Sequence, residues 1–203
     1  MGKKLLKTFE KEIEKVKTDK MRDFYKKVLE TCDDLNATGP ASSSGKYHPI
    51  QDLGKYGLYR HSVTVARFAE IMMRSIPTYD NDEDWDIVYI SALLHDMAKF
   101  DSNVDDGSHT VDWHPVSMAK LIRDFNTEND ASFERVAHNI ESHHSRWGDL
   151  REAWNGITMM PQPESLEQYI IVFSDLCAAN TDLPNFLNEQ EKIGVEYLVG
   201  RRK

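Results

Sequence analysis

"VYISALLHDMAKF", residues 88–100, decides the fold. Apolar side chains occupy nearly every position from Val88 to Leu94, and polar residues precede them. An apolar run with no polar face cannot lie on the surface of a helical protein, so it belongs at the centre. The run then delivers His95 and Asp96 to that centre. The reading predicts a central helix over 83–99.

Helical periodicity continues outward in both directions. Leu5, Phe9, Ile13 and Val16 share one face of a charged amphipathic helix. Met21, Phe24, Val28 and Cys32 stripe a second helix over 21–35. Val65, Phe68, Ala69 and Met72 line a third over 58–76. Pro115 suits the first turn of a short helix. Residues 130–144 and 163–180 form two more, and Glu191 to Leu198 is a candidate last one. No strand, repeat or interdomain linker stands out. The fold class is all-α: a single-domain helical bundle. Residues 1–35 are N-terminal helices packed on the core, 36–57 a Ser/Gly/Lys loop, 58–182 the core, and 183–203 a tail.

A chain of 203 residues can bury a core without staples. Hydrophobic content of 40% and charged content of 29% fit a soluble globular protein. The net charge of -9 argues against an extended nucleic-acid surface. It leaves room for a small phosphorylated substrate, because bound cations reverse a local field. Two cysteines in apolar patterns, Cys32 and Cys177, read as free thiols in a reducing compartment. No apolar run reaches membrane-spanning length, and the start lacks a signal-peptide core. Leu6 stands where myristoylation wants Ser or Thr. The expected location is the cytoplasm. Oligomeric state is open.

"GPASSSGKYHP", residues 39–49, imitates a phosphate-binding loop. Five residues separate Gly39 from Gly45 where the P-loop has four, and Tyr47 stands where a hydroxyl should hold Mg²⁺. No buried strand precedes it. "DSNVDDGSHTVD", residues 101–112, imitates a calcium loop, but its glycine comes one residue late and Asp112 replaces the final glutamate. It reads as an acidic loop.

Ligand-type residues face inward at five places. His61 shares a face with Val65 and Phe68, His95-Asp96 ends the apolar run, and His114 precedes Pro115. His143 and His144 lie one and two turns from Ile140 and Val136. Asp175 sits inside "YIIVFSDLCAA". A lone inward His is usually a hydrogen-bonded core residue. A carboxylate in so apolar a helix is costly without a cation or many donors. Imidazoles and carboxylates from several helices suit divalent metals. His138 lies about 200° from Ile140 on a helix of 3.6 residues per turn, so it faces solvent. His109 has no supporting pattern, and His48 is undecided.

The order His61, His95-Asp96, Asp175, in "LYRHS", "ALLHDMAKF" and "VFSDLCA", resembles the HD superfamily of metal-dependent phosphohydrolases over about residues 55–180. The resemblance implies an all-α bundle around a metal. His61, His95, Asp96 and Asp175 match the family's first metal site. His114, His143 and His144 look like the extra ligands of two-metal members, in which Asp96 would bridge two divalent ions (Mn, Fe, Co, Mg or Ni). Lys99 resembles the phosphate-contacting lysine, four residues after His95 on one face. The HD-GYP phosphodiesterases are the nearest in ligand pattern. This chain departs from them at Met118 and Ser145, has no Gly-Tyr-Pro, and carries Gly57 in place of a third-metal glutamate. Those departures count against cyclic-di-GMP specificity and a third ion, and leave the two-metal core.

The implied activity is hydrolysis of a nucleotide or small oligonucleotide phosphoester by metal-activated hydroxide, with Asp96 and Lys99 at the reacting phosphate. Lys46 and Tyr47 are candidate substrate contacts, with a plain surface loop as the alternative. Arg146 is a candidate second clamp, with a surface salt bridge as the alternative. Two other readings stand beside this one. A di-iron HD-fold oxygenase would use the same ligands, and a sensor would bind a nucleotide without turnover.

Overall fold

The stripe of Leu5, Phe9, Ile13 and Val16 winds into two short helices, α1 (Lys3–Thr8) and α2 (Glu10–Lys15), where one was expected. A computed structural model describes residues 3–42, 48–100, 111–144, 149–154 and 156–180. Phe9 leaves helical geometry because its ring is held edge-on by Tyr25 and Tyr59. Its backbone still links Leu5 to Ile13, so the stripe stays continuous and buried.

Helix α3 (Asp19–Thr31) buries Met21, Phe24 and Val28 and stops short of residue 35, where Cys32 turns extended. Within the expected 36–57 loop lie part of α4 (Leu35–Thr38) and a 3-10 turn at Ile50–Asp52. A tertiary clamp explains that order. The Asn36 amide donates to the Phe100 carbonyl at 2.9 Å and accepts from the Phe100 N–H at 3.0 Å.

Helices α5 (Gly57–Arg74), α6 (Asp82–Leu94), α7 (His114–Phe125), α8 (Ala131–Glu141) and α9 (Leu166–Ala179) form the bundle. Helix α5 packs on α6 and α9, α6 on α8, and α8 on α7 and α9. Every residue of α6 from Ile87 to Leu94 is buried, as the apolar run requires. The helix ends at Leu94, not at 99. Met97 N–H then bonds the Leu94 carbonyl and Lys99 N–H the Asp96 carbonyl, in tight turns. Helix α9 opens with a capping box between Ser165 and Gln168.

A strand pair is the element the sequence reading lacked. Strands β1 (Asp149–Trp154) and β2 (Ile157–Met159) run antiparallel. The Asn155-Gly156 pair is a strong hairpin signal, and Gly156 takes the positive φ of 82° that such a turn needs. The strands were missed because β2 is largely exposed and shows no apolar alternation.

The N-terminal helices and the bundle share one hydrophobic core, from Leu5 to Ala178. Asp86, fully buried on α6, lashes them together. It accepts from Lys17 N–H, Thr18 N–H and the Thr18 hydroxyl, each at 2.8 Å. Such charge-assisted bonds are worth more than neutral ones. Cys32 and Cys177 are free, and burial pushes the Cys32 thiol up to about 12, which leaves it unreactive. Among the described residues no helix is long and apolar enough to cross a membrane.

Candidate metal centre

Five elements bring the inward ligand residues to one place. His61 comes from the middle of α5 and Asp175 from α9. His95 and Asp96 come from the turn after α6, His114 from the start of α7, and His143 and His144 from the turn after α8. His61, His95, Asp96, His114 and His143 are almost wholly buried, and Asp175 is 17% exposed. His144 is partly buried, its ring 5.2 Å from that of His114 and 5.5 Å from that of His143.

The two Asp96 oxygens face different partners. Oδ2 lies 3.5 Å from His61 Nε2 and 3.3 Å from His95 Nε2. Oδ1 lies 3.0 Å from His114 Nε2 and 3.5 Å from His143 Nε2. Asp175 Oδ1 completes the first group, 3.0 Å from His61 Nε2 and 3.7 Å from His95 Nε2. Lys99 donates to Asp96 Oδ2 at 2.6 Å and to the Ala41 carbonyl at 3.1 Å. Because α6 ends at Leu94, Lys99 reaches Asp96 through a turn and not along a shared helix face.

Local backbone fixes the ring orientations. His95 Nδ1 donates to the Ala92 carbonyl, His114 Nδ1 to Val111 and His143 Nδ1 to Ile140, at 2.8, 2.8 and 2.6 Å. Each bond spans three residues at a helix end, where carbonyls or turns are available. A proton held at Nδ1 leaves the Nε2 lone pair facing the centre.

The electrostatics suit a cation. Burial raises the Asp96 carboxyl, but His95 and Lys99 outweigh it and hold the group well below the carboxylate range. Burial also raises Asp175, and His61 and His95 hold it low. Burial pushes His114 down to about 4 and His144 down to about 2, so both are neutral near pH 7. Burial pushes His95 down as well, yet Asp96 and Asp175 lift it to about 10.

Nε2 of His95, His114 and His143 is buried without a hydrogen-bond partner in each case. Three buried ring nitrogens without partners, side by side, are costly in a packed core. Two ligand clusters overlap there: His61, His95 and Asp175, and His95, Asp96 and His143. Imidazoles and carboxylates are the donors that divalent transition metals take. The residues fit such an ion.

His138 is exposed, as its helix phase requires, and pairs with Glu134 at 2.8 Å. Lys46, Tyr47, Arg146, His109, the 101–110 part of the acidic loop and Glu191 to Leu198 lie outside the described residues. Sequence reasoning missed Asp52 and left His48 undecided. Both sit beside His61, and Asp52 lies toward its Nδ1, opposite the Nε2 that faces Asp175. Asp52 lies in a stretch without periodicity, so no pattern marked it.

A helical bundle with imidazoles and carboxylates turned toward a buried centre defines a metal-binding all-α protein. A family model described as the HD domain matches residues 58–180, and the chain belongs to that family. HD domains bind divalent metals, and the family consists in general of metal-dependent phosphohydrolases. Searches of curated proteins and of solved structures each found no match.

Proposed function

We propose that this protein is a phosphohydrolase or phosphodiesterase that uses two divalent ions on a nucleotide or small oligonucleotide phosphoester. The observation that carries this reading is the division of labour at Asp96. Its oxygens face two separate sets of imidazoles, the arrangement one carboxylate needs to serve two cations. His61, His95 and Asp175 would complete one position with Oδ2. His114, His143 and His144 would complete the other with Oδ1.

Bound there, a pair of cations supplies acidified water near neutral pH and offsets the charge of phosphate oxygens. The chain's own residues do the rest. The five imidazoles would be neutral donors when loaded, and the two carboxylates would balance part of the cationic charge. Lys99, partly exposed beside Asp96, can turn its ammonium to a non-bridging phosphate oxygen as charge develops. That cation favours phosphate over dioxygen chemistry. Lys46, Tyr47 and Arg146 remain the proposed substrate contacts. No membrane or extended nucleic-acid surface enters this reading.

The test is a panel of nucleotides, cyclic nucleotides and short oligonucleotides with Mn²⁺, Fe²⁺, Co²⁺, Mg²⁺ or Ni²⁺. Metal-dependent phosphate or nucleotide release is expected. No turnover on any of them, with a mixed-valent di-iron Mössbauer signature, overturns the reading in favour of an oxygenase.

A further inference from the structure

His61 differs from the other buried imidazoles of the centre. His95, His114 and His143 each give Nδ1–H to a carbonyl three residues back, because they sit at helix ends. His61 is interior to α5, where the preceding carbonyls are taken by the helix itself. Its Nε2 faces Asp175 and Asp96. A neutral imidazole holds one proton, so when Nε2 serves the centre that proton is on Nδ1 and points the other way. It needs an acceptor from outside the helix.

Asp52 stands there. It is 2% exposed, and its Oδ2 lies 3.8 Å from His61 Nδ1. Both atoms are buried, and neither has a hydrogen-bond partner. Leaving two such atoms unpaired is costly, and a small approach satisfies both.

The backbone is built to hold Asp52 in place. Its carbonyl accepts from Ala41 N–H at 2.9 Å, and its N–H donates to the Pro49 carbonyl at 2.9 Å. Arg60, next to His61, donates from Nε to the Gln51 carbonyl at 2.6 Å. Gly57 lies one turn before His61. A Cβ there would sit 1.9 Å from the Asp52 carbonyl oxygen and 3.0 Å from Ala41 N. Only glycine lets this segment lie so close to α5.

We propose that Asp52 is the positioning residue for His61. It accepts the Nδ1–H, fixes the tautomer that turns Nε2 to the centre, and makes that nitrogen a better ligand. The inference rests on the metal-centre reading above. His48 packs against His61 as well, its ring edge-on with centroids 4.6 Å apart. His48, Asp52 and His61 could together hold an ion of their own. That ion would need the Nδ1 lone pair of His61 while Nε2 serves the centre, which a neutral imidazole cannot supply.

The test is metal affinity, read by competition with a fluorescent chelator for Mn²⁺, in wild type, Asp52→Asn, His61→Ala and His138→Ala. Asp52→Asn should weaken the affinity about 10- to 100-fold, with saturating stoichiometry and helical circular dichroism unchanged. His138→Ala should match wild type. In Zn²⁺-loaded wild type, long-range ¹H–¹⁵N spectra should show His61 protonated at Nδ1, and this needs no variant. Wild-type affinity in Asp52→Asn, with His61→Ala impaired, overturns the positioning role and leaves the centre standing. Loss of one whole equivalent of metal in both Asp52→Asn and His48→Ala overturns it in favour of a separate ion. A wild-type protein that binds no metal removes the centre itself.

Discussion

Lys99 Nζ lies 2.6 Å from Asp96 Oδ2, the oxygen that faces His61 and His95. The ammonium thus occupies the carboxylate where a cation would approach. On loading it would have to swing away, and its stem would then place the charge at the rim of the centre.

Lys99→Met should therefore separate binding from turnover. Metal affinity should hold or rise, because a competing cation is gone. The turnover number should fall by about 10²- to 10³-fold, the scale for losing one stabiliser of developing charge. Chelator competition and steady-state kinetics on the substrate found by the panel would check it. Unchanged turnover removes Lys99 from the chemistry.

Asp96→Asn should abolish turnover and keep the fold. Asparagine matches the size but offers a neutral oxygen to two mutually repelling cations. Elemental analysis should find at least one ion lost per chain. The packing of Ile87–Leu94 is untouched, so helical circular dichroism should persist. The melting temperature should no longer rise on adding metal to the level of wild type. Near-wild-type turnover would exclude the two-ion mechanism.

His143→Ala and His138→Ala should differ sharply, although the residues are five apart. His143 aims Nε2 at Asp96, and His138 lies exposed beside Glu134. Loss of His143 should remove most activity, while loss of His138 should leave it within a few-fold. Equal damage from both would mean that the imidazole at 143 is not a ligand.

Metal uptake should release protons at pH 7–9. His95 carries a proton there in the metal-free protein, since Asp96 and Asp175 lift it to about 10 against the effect of burial. It must lose that proton to ligate, and His61, which burial lowers but Asp175 and Asp52 raise, adds to the release, so the apparent affinity should rise at least about tenfold per pH unit below about 10. His114 and His144, held down to about 4 and about 2, contribute nothing in this window. Titration calorimetry in buffers of different ionisation enthalpy reads the proton count. A buffer-independent enthalpy would contradict the assignment.

Much of this protein is legible along the chain. The all-round apolar run into His95-Asp96 names the central helix, because no other environment accommodates it. The phases of His61, His143 and Asp175 against apolar neighbours show which polar residues turn inward, and the phase of His138 shows which does not. These are local properties, set by 3.6 residues per turn and the cost of exposing apolar surface.

Tertiary structure decided what depends on partners far away in sequence. Helix α6 ends at Leu94 and tight turns follow, so Lys99 approaches Asp96 from a turn. Asn36 orders its segment through Phe100, 64 residues on. Gly57 reads in sequence as a missing glutamate and in space as the gap that admits Asp52. The separate sets around Asp96 Oδ1 and Oδ2 come from different helices, and their distances follow from how those helices pack. Helical phase shows that a side chain points inward. Only the packed bundle determines which side chain it meets, because that contact joins residues with no local spacing between them.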